Sequence, residues 1–388
     1  ARSHSLDRNR TMTHPSEHLI GVPGGRARLD TPALLIELTA FERNIRRMAE
    51  FAAERGVALR PHAKTHKSDE IARRQIAAGA IGISCATLGE AEVMVAAGIP
   101  GILITSPLVT ENKLARLVTL AQQAGPGGLM VVADHPHNVQ TLDEFAASLP
   151  HPLGVLVDCA AGHQRTGCRD ATAALALARQ IDASAHLALK GVQHYSGNLQ
   201  HIPHRAERTA RAKAQRDNLA ALLRAGRAEG LAFDIVTGVG TGTFDLDPDG
   251  AVFTEMQTGS YIFMDVDYLA AMADGTNRPP FETALLVQTA VVSTNAENWV
   301  TVDGGLKCFA TDGPKPAIHA GTDPGGQFEF FGDEHGKLSY AGTRPHLGDR
   351  VEFVVPHCDP TVNLHDYYHV MDGDTLVALW PVTARGRR

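Results

Sequence analysis

Arg60-Pro61-His62-Ala63-Lys64-Thr65-His66-Lys67 is the stretch on which the reading of this chain turns. It closes a short apolar segment, Val57-Ala58-Leu59, and precedes a helical pattern from Asp69 to Ala78. The junction of a buried strand and a helix is a poor place for a solubilising lysine. It is a good place for an amine whose pKa is depressed and which acts as a nucleophile. A basic surface loop is the plain alternative for any Lys-rich octet, and the remainder of the chain decides between the two.

Eight β-rich runs lie between residues 31 and 265: Ala58–His62, Gly82–Cys85, Gly101–Thr105, Leu129–Ala133, Gly154–Asp158, Leu187–His194, Phe233–Thr237 and Phe253–Gln257. Stretches of helical period separate them, among them Asp69–Ala78, Glu90–Ala97, Asn112–Ala124 and Ala171–Ile181. Eight strands alternating with helices predict a parallel sheet closed into a (β/α)8 TIM-type barrel. An open doubly wound sheet is the alternative, but no G-x-G-x-x-G follows the first strand. After residue 270 the pattern changes to strands separated by Gly, Asp and Pro turns: Leu285–Val292, Trp299–Val302, Arg350–Val355 and Thr375–Trp380. The expected class is therefore α/β, with a barrel over residues 29–269 and an additional all-β C-terminal domain over 270–388. Residues 1–28 are expected to be an N-terminal extension able to pair with the β-domain, with Ala1–Arg10 structureless and Met12 the native start. No linker or low-complexity tract intervenes, so the two domains should pack directly on each other.

A chain of 388 residues can bury a large core. Its formal charge of −7 comes without a basic patch, which argues against nucleic acid or an anionic membrane as partner. The basic cluster Arg205–Arg216 falls in a helical stretch and reads as a solvated face. Five cysteines (Cys85, Cys159, Cys168, Cys308 and Cys358) include no C-x-x-C pair, which points to reduced thiols and a cytoplasmic address. No run reaches the length of a membrane span, and no signal-peptide segment is expected.

In a barrel the chemistry sits where strands end and the following loops begin. His62, Lys64 and His66 end the first predicted strand, and Gly162-His163-Gln164-Arg165 follows the fifth. Gln193-His194-Tyr195-Ser196-Gly197 and then His201 follow the sixth. Gly238-Val239-Gly240-Thr241-Gly242 follows the seventh and Thr258-Gly259-Ser260-Tyr261 the eighth. A merely structural barrel does not need so many polar, ionisable and glycine-rich ends at one mouth. The last two loops can form a phosphate cradle, because glycine lets N–H groups approach an anion and the hydroxyls add donors. Such loops also occur simply as tight turns, but barrels commonly bind a phosphate after these two strands. A nucleophilic lysine with a phosphate cradle points to pyridoxal 5′-phosphate carried on the lysine as a Schiff base.

In its motifs the chain resembles the D-threonine aldolases, fold-type III pyridoxal-phosphate enzymes that share their barrel with alanine racemase and stand beside the D-serine dehydratase-like proteins. The resemblance is carried by Asp30-Thr31-Pro32-Ala33-Leu34, Arg60–Lys67, Gln193–Gly197, Gly240-Thr241-Gly242 and Glu255–Asp265. It continues through His357-Cys358-Asp359-Pro360-Thr361 and Asn363-Leu364-His365-Asp366, spanning residues 30 to 385. It implies that Lys64 carries the cofactor, with Lys67 the competing candidate. Lys64 is preferred because it is nearer the strand end, whereas Lys67 abuts a helix start, where it should be solvated. The resemblance puts Arg165 at the pyridine nitrogen, where a guanidinium can donate a hydrogen bond but not give up its proton. Around the cofactor it puts Gln193, Tyr195, Gly240, Thr241, Gly242, Gly259, Ser260 and Tyr261. An ion-pairing loop arginine and a core tyrosine are the plain alternatives for Arg165 and Tyr195.

In His357-Cys358-Asp359, positions i and i+2 of an extended segment point to the same side, so His357 and Asp359 should converge while Cys358 faces away. Imidazole and carboxylate suit Mn²⁺, Mg²⁺ or another divalent ion such as Co²⁺ with open water positions, and the resemblance makes them the metal ligands, for Mn²⁺ foremost. An isolated His-x-Asp is more often a surface loop. D-Serine dehydratases resemble this family but carry Cys where this chain has Asp359, a departure that favours the aldolase. His201 matches the family histidine that takes the proton from the substrate β-hydroxyl, and a histidine titrates in the range a general base needs. His62, His66, His194 and His204 are its rivals. The implied activity is metal-dependent cleavage of D-threonine and related D-β-hydroxy-α-amino acids to glycine and an aldehyde, in a homodimer. A D-serine or 3-hydroxy-D-aspartate dehydratase, or a 3-hydroxy-D-aspartate aldolase, is the alternative on the same scaffold. A non-catalytic pyridoxal-phosphate carrier is the alternative from another class, although such carriers generally lack the β-domain. Lys307 and Thr311-Asp312-Gly313 are candidates to line the substrate pocket, with no role assigned.

Overall fold

The computed structural model describes residues 14–162, 164–247, 252–273 and 280–388. The expectations for Ala1–Arg10 and Met12, and His163 of the fifth-strand loop, lie outside the described residues. The first nine strands are β1 (Ala33–Glu37), β2 (Ala58–Leu59), β3 (Ser84–Cys85), β4 (Ile102–Ile104), β5 (Leu129–Ala133), β6 (Leu153–Asp158), β7 (Leu187–Gln193), β8 (Ile235–Val239) and β9 (Glu255–Met256). Strands β2 to β9 are parallel in the order β2-β9-β8-β7-β6-β5-β4-β3. The ring closes between β2 and β3, where Ser84 N–H donates to Pro61 O at 2.8 Å. All eight predicted runs therefore occur, and the sheet is a barrel.

Strands β4, β5 and β6 are buried along their whole length because helices cover the outside and side chains fill the inside. In β4, Ile102 and Ile104 face the helices, while Leu103 points inward to Met130, Val132 and Leu156. The first strand ends earlier than predicted, at Leu59, since Pro61 has no N–H to lend the ladder. The backbone nonetheless continues in register, with Arg60 N–H on Met256 O (2.9 Å) and His62 N–H on Thr258 O (3.1 Å). Arg60 is buried inside the barrel and donates to both oxygens of Glu255, at 2.9 and 2.7 Å. The octet is thus not a basic surface loop.

The helix Leu38–Arg55 shows how the outer layer forms. Phe41, Ile45, Met48 and Ala52 recur every three or four residues and are buried. Gly56, at φ 65°, ends the helix with its N–H on the last-turn carbonyls. The helix Arg205–Ala228 corrects one expectation: Arg205, Arg211 and Lys213 face solvent, but Arg208 is buried and donates to Ala271 O at 2.8 Å.

The second body contains β10 (Leu285–Ser293), β11 (Trp299–Val302), β12 (Ala317–Ala320), β13 (Gln327–Phe330), β14 (Gly336–Ser339), β15 (Arg350–Val354), β16 (Tyr367–Asp372) and β17 (Thr375–Pro381). Strand β1 belongs to this sheet rather than to the barrel, antiparallel to β10 and parallel to β16. An expected barrel beginning at residue 29 is therefore too early. The physical reason is that β1 is apolar on both faces. Leu34 and Ile36 enter the main core, whereas Ala33 and Leu35 pack with Leu19, Leu29, Leu286 and Leu376. The extension ahead of β1 lies along β17, with Gly21 N–H on Leu376 O at 2.8 Å. All five cysteines are free and buried. Among the described residues no helix is long and apolar enough to cross a membrane.

Candidate active site

After His62 the octet makes a 3-10 turn, Ala63–Thr65, before the helix Asp69–Ala77 begins. Thr105 donates its hydroxyl proton to Cys85 O at 3.1 Å, so it accepts from His62 Nε2 at 3.1 Å. His62 Nδ1 in turn accepts the Lys64 N–H at 3.3 Å. These bonds hold the neutral tautomer, and burial, with Lys64 nearby, keeps the ring well below the ordinary histidine range. His62 shapes the turn and is not placed to be a base.

The turn carries the Lys64 ammonium to a cavity, where Nζ donates to Asp359 Oδ1 at 2.9 Å. The expected depression of its pKa does not occur. Burial acts to lower it, but the Asp359 carboxylate outweighs that and holds it above the ordinary lysine value. Lys67, expected in solvent, is instead only 13% exposed at its side chain and paired with Glu90, itself fully buried. Glu90 also accepts the Ala86 N–H at 2.7 Å. Lys67 is thereby withdrawn from the cavity.

The cavity has a volume of about 340 Å³ and is lined by Lys64, Arg165, Gln193, Tyr195, Gly240, Thr241, Gly259 and Ser260. Two expected members are elsewhere. The Gly242 N–H is consumed by Gln200 Oε1 at 2.8 Å. The Tyr261 ring is 1% exposed, with its hydroxyl on Gln75 Nε2 at 3.1 Å. Both residues build the loops without facing the cavity: Tyr261 N–H donates to Thr241 Oγ1 at 3.2 Å and so ties the last two loops together.

The lining fits the phosphate and ring of pyridoxal 5′-phosphate. The N–H groups of Thr241 and Ser260 open the short turns Thr241–Thr243 and Ser260–Ile262 and have no acceptor among the described residues. A Cβ at Gly259 would come within 2.5 Å of Thr65 Oγ1, so the close approach there requires glycine. Across the cavity the Arg165 guanidinium lies 5.9 Å from the centroid of the Tyr195 ring. Gln193 joins three strand ends, donating to Asp158 Oδ1 and Thr105 O at 3.0 Å each and accepting from Gln257 Nε2 at 3.1 Å. Thr166, next to Arg165, donates to Asp158 Oδ2 at 2.7 Å.

The His-x-Asp segment adopts a different conformation from the expected one, yet His357 and Asp359 still approach each other. Cys358–Val362 is a short helix with His357 as its N-cap, not an extended segment. An N-cap in extended geometry followed by helical residues also brings positions i and i+2 together. His357 Nε2 lies 3.3 Å from Asp359 Oδ2, out of line for a hydrogen bond, so that buried oxygen has no donor. A carboxylate oxygen without a donor facing an imidazole nitrogen suits a divalent cation. Burial tends to raise the Asp359 pKa, but Lys64 and His357 hold it well below the usual carboxylate range. Burial lowers and Asp359, then Asp312, raise that of His357, to about 9. Cys358 turns away, its thiol 2.9 Å from Asp265 Oδ2. Among the described residues no set of three or more His, Cys, Asp or Glu side chains converges.

His201 lies just beyond the turn Gly197–Leu199, its ring centroid 4.5 Å from that of Tyr268, which lines the cavity. Its Nδ1 is 3.0 Å from Asp267 Oδ2. Burial lowers its pKa against the pull of Asp267 and Asp265, with His357 and Lys64 reinforcing the lowering. His66 and His194 are buried, the former driven to about 3 and the latter to about 4 chiefly by burial. His204 is exposed and precedes the helix Arg205–Ala228 without a side-chain capping bond.

Sequence reading passed over Thr105, Ser106, Gln257 and Tyr268 in the lining. The first three stand at predicted strand ends, where the same rule that found Gln193 applies. Tyr268 lies on a helix, Val266–Met272, with no local signal. Asp312 proves to touch His357 Nδ1 at 2.9 Å, whereas Lys307 is exposed and paired with Glu334 at 2.6 Å.

The alanine racemase N-terminal domain model matches residues 36–267, and a serine dehydratase domain model matches 284–371. A D-threonine aldolase of Arthrobacter sp. is 39% identical over 93% of this chain and 94% of its own length. A 3-hydroxy-D-aspartate aldolase of Paracoccus denitrificans (strain Pd 1222) is 32% identical over 94% of this chain and 95% of its own. The crystal structure of D-threonine aldolase from Filomicrobium marinum superposes with a TM-score of 0.88 at 39% identity, covering 93% of this chain and 96% of that one.

Proposed function

We propose the function of this chain from its family: it belongs to the D-threonine aldolases, on the barrel of the alanine racemase N-terminal domain. It is a pyridoxal-phosphate-dependent lyase that cleaves D-threonine and related D-β-hydroxy-α-amino acids to glycine and an aldehyde. The observation that carries this reading is the 2.9 Å contact of Lys64 Nζ with Asp359 Oδ1, which brings the amine at the barrel mouth against the carboxylate of the β-domain's His-x-Asp pair.

When bound, pyridoxal phosphate supplies an electron sink for a breaking Cα–Cβ bond, and a divalent ion supplies Lewis acidity at the β-hydroxyl. Lys64 provides the amine for cofactor attachment, and must first be released from Asp359 and shed a proton. Gly240, Thr241, Gly259 and Ser260 offer donors to the phosphate. Arg165 would donate to the pyridine nitrogen without protonating it, which would leave more of the charge stabilisation to other groups. His357 Nε2 and Asp359 Oδ2 would hold the ion, Mn²⁺ by preference with Mg²⁺ and Co²⁺ as alternatives. His201, its pKa lowered by burial, accepts the proton of the substrate β-hydroxyl. Five free, buried thiols support a cytoplasmic address, and the family resemblance supports a homodimer.

The test is product analysis with D- and L-threonine, with and without Mn²⁺. Glycine and acetaldehyde from the D-isomer alone, in the presence of Mn²⁺, are expected. Ammonia and a keto acid would refute the aldolase in favour of a dehydratase. Borohydride reduction should place a pyridoxyl group on Lys64, and labelling elsewhere would remove Lys64 from this role.

A further inference from the structure

We infer that Asp312 is the positioning residue for the cation ligand His357. This rests on the reading of His357 and Asp359 as the metal pair, and assigns a part to a loop between β11 and β12 that has none in that reading. Asp312 Oδ2 lies 2.9 Å from His357 Nδ1. A carboxylate only accepts, so in this bond Nδ1 is the donor, and a neutral ring then keeps its lone pair on Nε2. Nε2 is the nitrogen that stands 3.3 Å from Asp359 Oδ2.

The backbone of His357 is held by other groups. Its carbonyl accepts the Thr361 hydroxyl at 2.8 Å, and the next N–H, of Cys358, donates to Asp265 Oδ2 at 2.8 Å. What remains free is rotation of the imidazole. The bond to Asp312 is the one hydrogen bond the ring makes among the described residues. Asp312 therefore determines which nitrogen faces Asp359. A carboxylate behind a ligating histidine sets tautomer and orientation in this manner, and losing it typically costs about 10–100-fold in metal affinity. The same contact does little for the fold, because the Asp312 side chain is 52% exposed and exposed ion pairs contribute little to stability.

The two roles separate in one experiment. Pyridoxal-phosphate-loaded wild type, Asp312→Ala and Asp312→Asn are titrated with Mn²⁺, free Mn²⁺ being read by electron paramagnetic resonance. Asp312→Ala should bind Mn²⁺ about 10–100-fold more weakly, with unchanged cofactor absorbance and an unchanged melting temperature before metal is added. Asp312→Asn, whose amide oxygen can still accept from Nδ1, should recover most of the affinity. Wild-type affinity in Asp312→Ala overturns the inference, as does a loss of cofactor absorbance or melting temperature, which would make the residue structural. Equal weakening in both variants overturns it in favour of simple charge attraction. A wild-type protein that takes up no Mn²⁺ removes the metal reading of His357, and this inference with it.

Discussion

Replacing Asp158 by Asn should make stability less dependent on pH. The carboxylate ends β6 and is 4% exposed. It accepts from Gln193 at 3.0 Å and from Thr166 at 2.7 Å. Burial lifts its pKa from 3.8 to about 6, against the hydrogen bonds from Gln193 and Thr166 that favour the charged form. The folded pKa lies above the unfolded one, so between them the folded state binds more protons. The contribution to stability is therefore full in acid, falls as pH rises from about 4 to about 6, and is lost above that. A shift of about 2 units at 1.36 kcal/mol each makes the penalty about 3 kcal/mol at pH 8. Asparagine resembles the protonated acid and retains both hydrogen bonds, since its amide can donate to Thr166 Oγ1. Urea unfolding of the cofactor-free protein should find the variant close to wild type at pH 4 and more stable by about 2–3 kcal/mol at pH 8. The same gap at both pH values, or a less stable variant at pH 8, would refute the reasoning.

Other perturbations follow from particular contacts. Glu255→Ala strands the Arg60 guanidinium inside the barrel and should cost about 3–5 kcal/mol in urea unfolding, whereas the double change Arg60→Met, Glu255→Leu should cost much less. Gly259→Ala drives a methyl to within 2.5 Å of Thr65 Oγ1, which itself donates to Asp359 Oδ1 at 3.0 Å. Cofactor affinity, followed by absorbance, should fall at least about tenfold, and an unchanged value would mean the loop is not the phosphate cradle. His201→Ala should lower kcat by about 10²–10⁴-fold while leaving cofactor absorbance intact, and a small loss would pass the role of base to another group.

Much of the architecture is legible in local pattern. Apolar runs of strand length, alternating with helical stretches, are enough to expect eight parallel strands, and the polar strand ends single out one mouth of the barrel. Lys64, Arg165, Gln193 and Tyr195 all stand at such ends, as do Thr105, Ser106 and Gln257, which the same rule could have found. Gly242 and Tyr261 share Gly-rich loops with cavity residues, but the partners that turn them from the cavity, Gln200 and Gln75, lie far off in sequence.

The sequence by itself determined the barrel, the all-β body after it and the kinds of chemical group at the mouth, because periodicity, turn residues and side-chain chemistry act over a few neighbouring positions. Only the tertiary structure decided that β1 pairs with the second sheet, that Lys67 is spent on Glu90, and that Lys64 is held as an ammonium by a carboxylate 295 residues away. It likewise decided that Asp312 stands behind His357. Those outcomes depend on which charges meet out of water, and the energy of such a meeting is set by distance and burial in three dimensions.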